Sequence, residues 1–139
     1  EYTVNNPPGP KATEEITQLA QKIKPGEFDG FMQIPGTVLG ELIHHKIIIN
    51  RMNKIRIPYI GYFKQHVVEG GLFSFGYDFF EIGKQSAVMA DKIFKGTKPS
   101  DIPLEFPRNY LLEINLKTAK EIGVTIPESM LSIAATVIK

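Results

Sequence analysis

The sequence predicts an α/β domain, a three-layer αβα arrangement in which a mainly parallel sheet carries helices on both faces. Three observations lead to that expectation. Short apolar runs of strand length alternate with stretches whose apolar residues recur at i, i+3, i+4 and i+7. The order strand, helix, strand, helix, strand calls for crossover connections, which join parallel strands of one sheet. The length of 139 residues suits a single domain, residues 1–139, which can bury a core without a staple, and the chain has no Cys to make one.

The elements follow in order. Tyr2 to Val4 suggests a short strand, ended by Asn5-Asn6-Pro7-Pro8-Gly9-Pro10, whose residues favour turns and cannot continue a ladder. Thr13 is the expected helix N-cap, with Glu14 and Glu15 in the first turn. Ile16, Leu19, Ala20 and Ile23 form one helical face, and Lys24-Pro25-Gly26 stops it. Phe28 to Ile34 reads as a strand broken by Pro35-Gly36. Thr37 can cap a second helix whose wide apolar face includes Val38, Leu42 and Ile49. Pro58 to Phe63 is the next strand, predicted to lie parallel to the strand at 29–34, and Gly71 to Phe75 is a further one.

From Phe79 to Phe94, Ile82, Ala87, Ala90 and Ile93 keep helical spacing, and Gly96 stands where a helix-ending glycine belongs. Ile102 to Phe106 and Tyr110 to Ile114 read as two short strands of a hairpin-like excursion around Pro107-Arg108-Asn109. Asn115 can cap a helix ended by Gly123. Pro127 suits the first turn of a last helix carrying Met130, Leu131, Ala134 and Ile138.

Composition narrows the function classes. A net charge of +1 lacks the basic field of a nucleic-acid binder. The absence of Cys removes thiolate catalysis and Cys-zinc sites. No apolar run reaches the length of a membrane span. The opening Glu1-Tyr2-Thr3-Val4 has neither Met nor a signal-peptide pattern, as expected of a processed chain or a piece of a longer one. No Ser lies in a Gly-x-Ser-x-Gly elbow and no paired-carboxylate site stands out, so the residues favour a binding module over an enzyme. His44 and His45 are neighbours about 100° apart on a helix and do not share one ion easily; with His66 they make no metal-site pattern. The window from Leu42 to Val68 holds Lys46, Arg51, Lys54, Arg56 and Lys64 without an acid, either a solvated face or a surface for an acidic partner.

Three stretches are more specific than their secondary structure requires: Glu69 to Gly83 (EGGLFSFGYDFFEIG), Ala90 to Pro103 (ADKIFKGTKPSDIP) and Ile114 to Pro127 (INLKTAKEIGVTIP). In this order they resemble the C-terminal portion of an ABC-transporter substrate-binding protein family with the type I periplasmic-binding fold, whose better known members take aromatic amino acids. The resemblance implies one lobe of a two-lobed receptor that closes on a small organic solute, of which an amino acid is one candidate, and delivers it to ABC permease subunits. It also implies a periplasmic or otherwise extracytoplasmic location, in some such families with a lipid anchor, no cofactor and no nucleic-acid partner. The same module could instead serve as the ligand-sensing half of a signalling or regulatory protein.

Candidate binding residues lie where strands give way to loops, since ligands of open α/β sheets gather at the carboxyl ends of strands. Thr37 opens a helix whose N–H groups could meet a carboxylate, or it is an ordinary cap. Phe63 could stack on an aromatic ligand and Lys64 could pair with a carboxylate, or they are a core ring and a solvated amine. Phe75, Tyr77 and Asp78 form the most distinctive stretch: Tyr77 offers a flat face with a polar tip, and Asp78 either accepts from an ammonium group or caps the following helix.

Overall fold

The computed structural model describes Val4, residues 9–34 and residues 42–139. The expected strand at Tyr2 and Thr3 and the expected cap at Thr37 lie outside the described residues. Helix α1 spans Pro10–Lys22, begins after Gly9 at φ 142° and has Pro at its first position, where the missing N–H costs nothing. The cap expected at Thr13 is therefore corrected. The helix starts four residues earlier, Glu14 and Glu15 fall beyond its first turn, and Thr13 Oγ1 instead bonds the Gly9 carbonyl at 3.1 Å.

Strand β1 (Phe31–Met32) leads to helix α2 (Leu42–Lys54) and strand β2 (Tyr59–Gly61), which pairs with β1 in parallel as predicted. A five-residue helix, α3 (Lys64–Val68), then precedes strand β3 (Phe73–Tyr77), parallel to β2. Helix α4 (Phe79–Phe94) has the predicted bounds; Asp78 caps it through bonds from the N–H groups of Phe80 and Glu81, and Gly96 follows at φ 100°.

The hairpin-like excursion is a second correction. Residues 102–106 form no strand. Pro99–Asp101 makes a single 3₁₀ turn, and strand β4 (Tyr110–Asn115) pairs antiparallel with β3 over five residue pairs, Tyr110 opposite Tyr77. Pro103 and Pro107 leave the intervening stretch short of ladder donors, while β3 offers a complete edge. Asn115 caps helix α5 (Leu116–Ile122), which ends on Gly123 in the left-handed region. The last expected helix shrinks to α6 (Glu128–Leu131), and Thr136–Ile138 forms strand β5, parallel to β4, in place of a continued helix. Three consecutive β-branched residues facing the open edge of β4 favour the strand.

The sheet thus has the order β1-β2-β3-β4-β5, mainly parallel, with helices on both sides. One face packs under α1 and α2, where Ile16, Ile48, Ile49, Met52, Ile57 and Tyr59 form the main core. The Tyr59 hydroxyl donates to Gln33 there, and burial raises its pKa. The opposite face presents Met32, Ile60, Phe75 and Leu112 in a shallow apolar groove that Met130 of α6 and Ile133 border. Two residues of the basic window have partners in the fold, while Lys54, Arg56 and Lys64 are exposed. Arg51 bonds the carbonyls of Ala20, Gln21 and Ile23 at the end of α1, where a cation suits the helix dipole, and Lys46 pairs with Glu69 at 3.2 Å.

Candidate functional site

The parallel register turns the loops after β2 and β3 to one edge of the sheet. Because β4 runs antiparallel to β3 and β5 runs with β4, the starts of β4 and β5 meet the same edge. A cavity of about 560 Å³ opens there. Phe63 lines it from the β2–α3 turn, Lys64 and Gln65 from the start of α3, Tyr77 and Asp78 from the end of β3, and Glu113 from β4.

Each side chain has a local reason for its place. Gly61 and Gly76 let the backbone fold tightly: a Cβ on Gly61 would overlap the His66 ring, and a Cβ on Gly76 would overlap the Tyr62 carbonyl. The turn at Tyr62 is thereby drawn over β3, and Phe63 comes to rest 5.1 Å from the Phe79 ring at the start of α4. Tyr77 is half-exposed, with its ring 5.0 Å from Tyr110, and the hydrogen bond and proximity of the two phenols raise the pKa of Tyr110. One oxygen of Asp78 is taken up by the helix cap, at 3.0 Å from the Phe80 nitrogen.

Of the residues singled out from the sequence, Phe63, Lys64, Tyr77 and Asp78 come together at this cavity. Phe75 does not. Two residues before Tyr77, it shares that residue's face of β3 but lies farther from the edge, stacked on Tyr110 at 5.5 Å and lining the apolar groove with Ile60 and Leu112. Thr37 lies outside the described residues.

Sequence reasoning missed Glu113. Its side chain is 5% exposed, Ser74 Oγ donates to its carboxylate at 2.9 Å, and it lines the cavity. The signal was available: one acid between Leu112 and Ile114 in a run of apolar residues. A buried carboxylate is costly without hydrogen bonds or a counter-charge, and Ser74 supplies one bond. The three histidines belong to the packing. His44 Nε2 meets Thr13 Oγ1 at 2.8 Å, and His66 Nε2 meets His45 Nδ1 at 2.8 Å.

Chemically the edge offers two aromatic faces, an exposed ammonium, and a buried carboxylate, which is the equipment for holding a small zwitterion with an apolar part.

Comparison with known proteins bears on the family and the fold. The family model described as ABC transporter substrate binding protein matches residues 11–138. A conserved domain protein of Vibrio cholerae superposes with TM-score 0.77 at 24% identity, over 90% of this chain and 41% of that one. An ABC domain from Streptococcus pneumonia in complex with L-Trp gives TM-score 0.69 at 28% identity, over 91% of this chain and 41% of its own. A substrate-binding protein with adhesive properties from Clostridium difficile, at 20% identity and TM-score 0.69, shares the fold. An uncharacterised protein of Rickettsia prowazekii is 32% identical over 75 residues, 54% of this chain and 25% of that relative. The chain spans less than half the length of each of these proteins.

Proposed function

The chain belongs to the ABC transporter substrate-binding protein family, and from that premise we propose that it forms the C-terminal part of an extracytoplasmic two-lobed receptor. The receptor captures an amino acid with an apolar or aromatic side chain and presents it to ABC permease subunits. The observation that carries this reading is the cavity at the carboxyl edge of β2 and β3, where an aromatic pair and groups of both charges converge. In a bound amino acid, Glu113 and the second carboxylate oxygen of Asp78 meet the ammonium group, Lys64 the carboxylate, and Phe63 and Tyr77 the side chain. The Streptococcus neighbour, crystallised with L-Trp, supports a ligand of that class.

The second lobe is supported by α4. None of its residues is buried, and Val88, Ile93 and Phe94 are exposed on a helix that leaves the sheet at Tyr77 and returns at Tyr110. An uncovered apolar face of this kind is normally an interaction surface. Among the described residues no helix is long and apolar enough to cross a membrane. Capture then works as a shift of population between open and closed lobes, with no bond chemistry.

Calorimetry on the receptor containing this chain, with L-tryptophan as the first probe, tests the assignment. Tyr77→Ala and Asp78→Asn should each weaken binding by at least about 1 kcal/mol. Asn keeps the helix cap, so the fold is preserved. Variants that melt and bind like the parent would place the ligand elsewhere.

A further inference from the structure

His66 is fully buried in α3, three residues after Phe63, and the fold is shaped around its ring. His45 meets the imidazole edge-on with centroids 4.2 Å apart, Tyr62 lies at 4.8 Å and Phe63 at 5.4 Å. Gly61 has no room for a Cβ beside the ring, and a Cβ on Gly71 would come within 2.8 Å of the His66 carbonyl. The Tyr62 N–H donates to His66 Nδ1 at 3.1 Å, so Nδ1 carries no proton and Nε2–H is the donor to His45 Nδ1 at 2.8 Å. The Tyr62 carbonyl is in turn held against Gly76 of β3.

We propose that His66 is a positioning residue for the binding edge: by accepting the Tyr62 N–H while wedged between Phe63 and His45, its neutral ring sets the turn that presents Phe63, Lys64 and Gln65 to the cavity. The functional part of this inference rests on the proposed site. The bond tolerates only one protonation state. A proton on Nδ1 would face the Tyr62 N–H donor to donor, release the turn, and thereby make capture acid-sensitive. The titratable groups around the ring are His45 on α2, Tyr59 on β2 and Tyr62 in the turn. Beyond them, Lys46 of α2 pairs with Glu69 after α3, Lys64 of α3 is exposed, and Glu113 of β4 is bonded to Ser74. Burial, with His45 adding to it, holds the His66 pKa down at about 4, so the ring stays neutral across ordinary pH.

The test uses the ¹⁵N-labelled chain at neutral pH and on acidification. In His66→Asn the side-chain oxygen replaces Nδ1 as acceptor but does not titrate; in His66→Phe the acceptor is gone. The amides of Tyr62 to Gln65 should keep their wild-type positions in His66→Asn and move in His66→Phe, while those of Thr118 and Ala119 stay in place in both. On acidification the wild-type Tyr62 amide should follow the His66 ring, and in His66→Asn that response should vanish. In the receptor, L-tryptophan affinity should fall about tenfold or more in His66→Phe and stay near wild type in His66→Asn. Unmoved amides in His66→Phe, or an acid response unchanged in His66→Asn, overturn the positioning role. If His66→Phe does not fold, the His66→Asn titration decides alone. Displaced amides with unchanged L-tryptophan affinity would instead overturn the location of the ligand at this edge.

Discussion

Helices α2 and α4 are built alike in sequence and end differently in the fold. Both carry apolar residues at helical spacing, over 13 and 16 residues. In α2, Ile48, Ile49 and Met52 disappear into the core under α1, while α4 buries nothing and leaves Phe94 89% exposed. It is tied back to the chain by polar bonds, Gln85 to Glu105 at 2.6 Å and to the Phe106 carbonyl at 3.2 Å. Amphipathicity therefore says that a face wants covering and not what covers it. Around α2 the cover is within the described residues. For α4 the proposed cover is the other lobe, since the chain spans 41% of each of the three solved neighbours named above.

That contrast can be broken by mutation. Ile49→Ala and Met52→Ala empty fully buried positions and should each lower the chain's stability by about 2–5 kcal/mol in urea unfolding. Val88→Ser and Phe94→Ser on α4 should change it by less than about 0.5 kcal/mol. In the two-lobed receptor the same α4 changes should become costly, and their remaining silent there would deny α4 a partner.

Acid sharpens the contrast through the His45–His66 pair that joins α2 to α3. The folded-state pKa of His66 lies at about 4 against an ordinary 6.5, so the folded chain binds fewer protons than the unfolded one in that window. Stability should fall as pH drops from about 6.5 towards 4, by up to about 3 kcal/mol from this group, and His66→Asn should flatten that part of the curve. Smaller effects separate the two caps. Asn115→Ala loses both the α5 cap and the bond from Nδ2 to the Val67 carbonyl at 2.9 Å, and should cost about 2 kcal/mol. Asp78→Ala uncaps only the exposed α4 and should cost about 1 kcal/mol or less, most of it read as fraying of the Phe80 and Glu81 amides.

The same division governs how much the sequence could tell. The bounds of α4, the cap at Asn115, the stop at Gly123 and the parallel pairing of β1 with β2 rest on local signals or on the crossover rule, and all were legible. Helix α3 was not: five residues with no capping side chain leave little periodicity to detect. Thr136–Ile138 was expected in a helix because Pro127, Met130 and Leu131 start one, yet a partner edge distant in sequence decides its state. At the site, the clustering of Phe63, Lys64, Tyr77 and Asp78 follows from strands ending at one edge. Glu113 escaped notice because its strand begins, and does not end, at that edge. Phe75 shares the face of Tyr77 but stands two residues short of the end of β3, so it meets the apolar groove and not the cavity at the edge.

The central claim is that this chain carries one side of a cleft whose other side belongs to a second lobe. Calorimetry of L-tryptophan and a panel of amino acids into the 139-residue chain alone, beside the two-lobed receptor, tests it most directly. A single lobe leaves one face of the ligand wet, whereas deep sites bury roughly 70–90% of it. The account predicts binding of about micromolar strength or better in the receptor and dissociation constants of about a millimolar or weaker in the monomeric chain. Micromolar binding by the monomeric chain would contradict it.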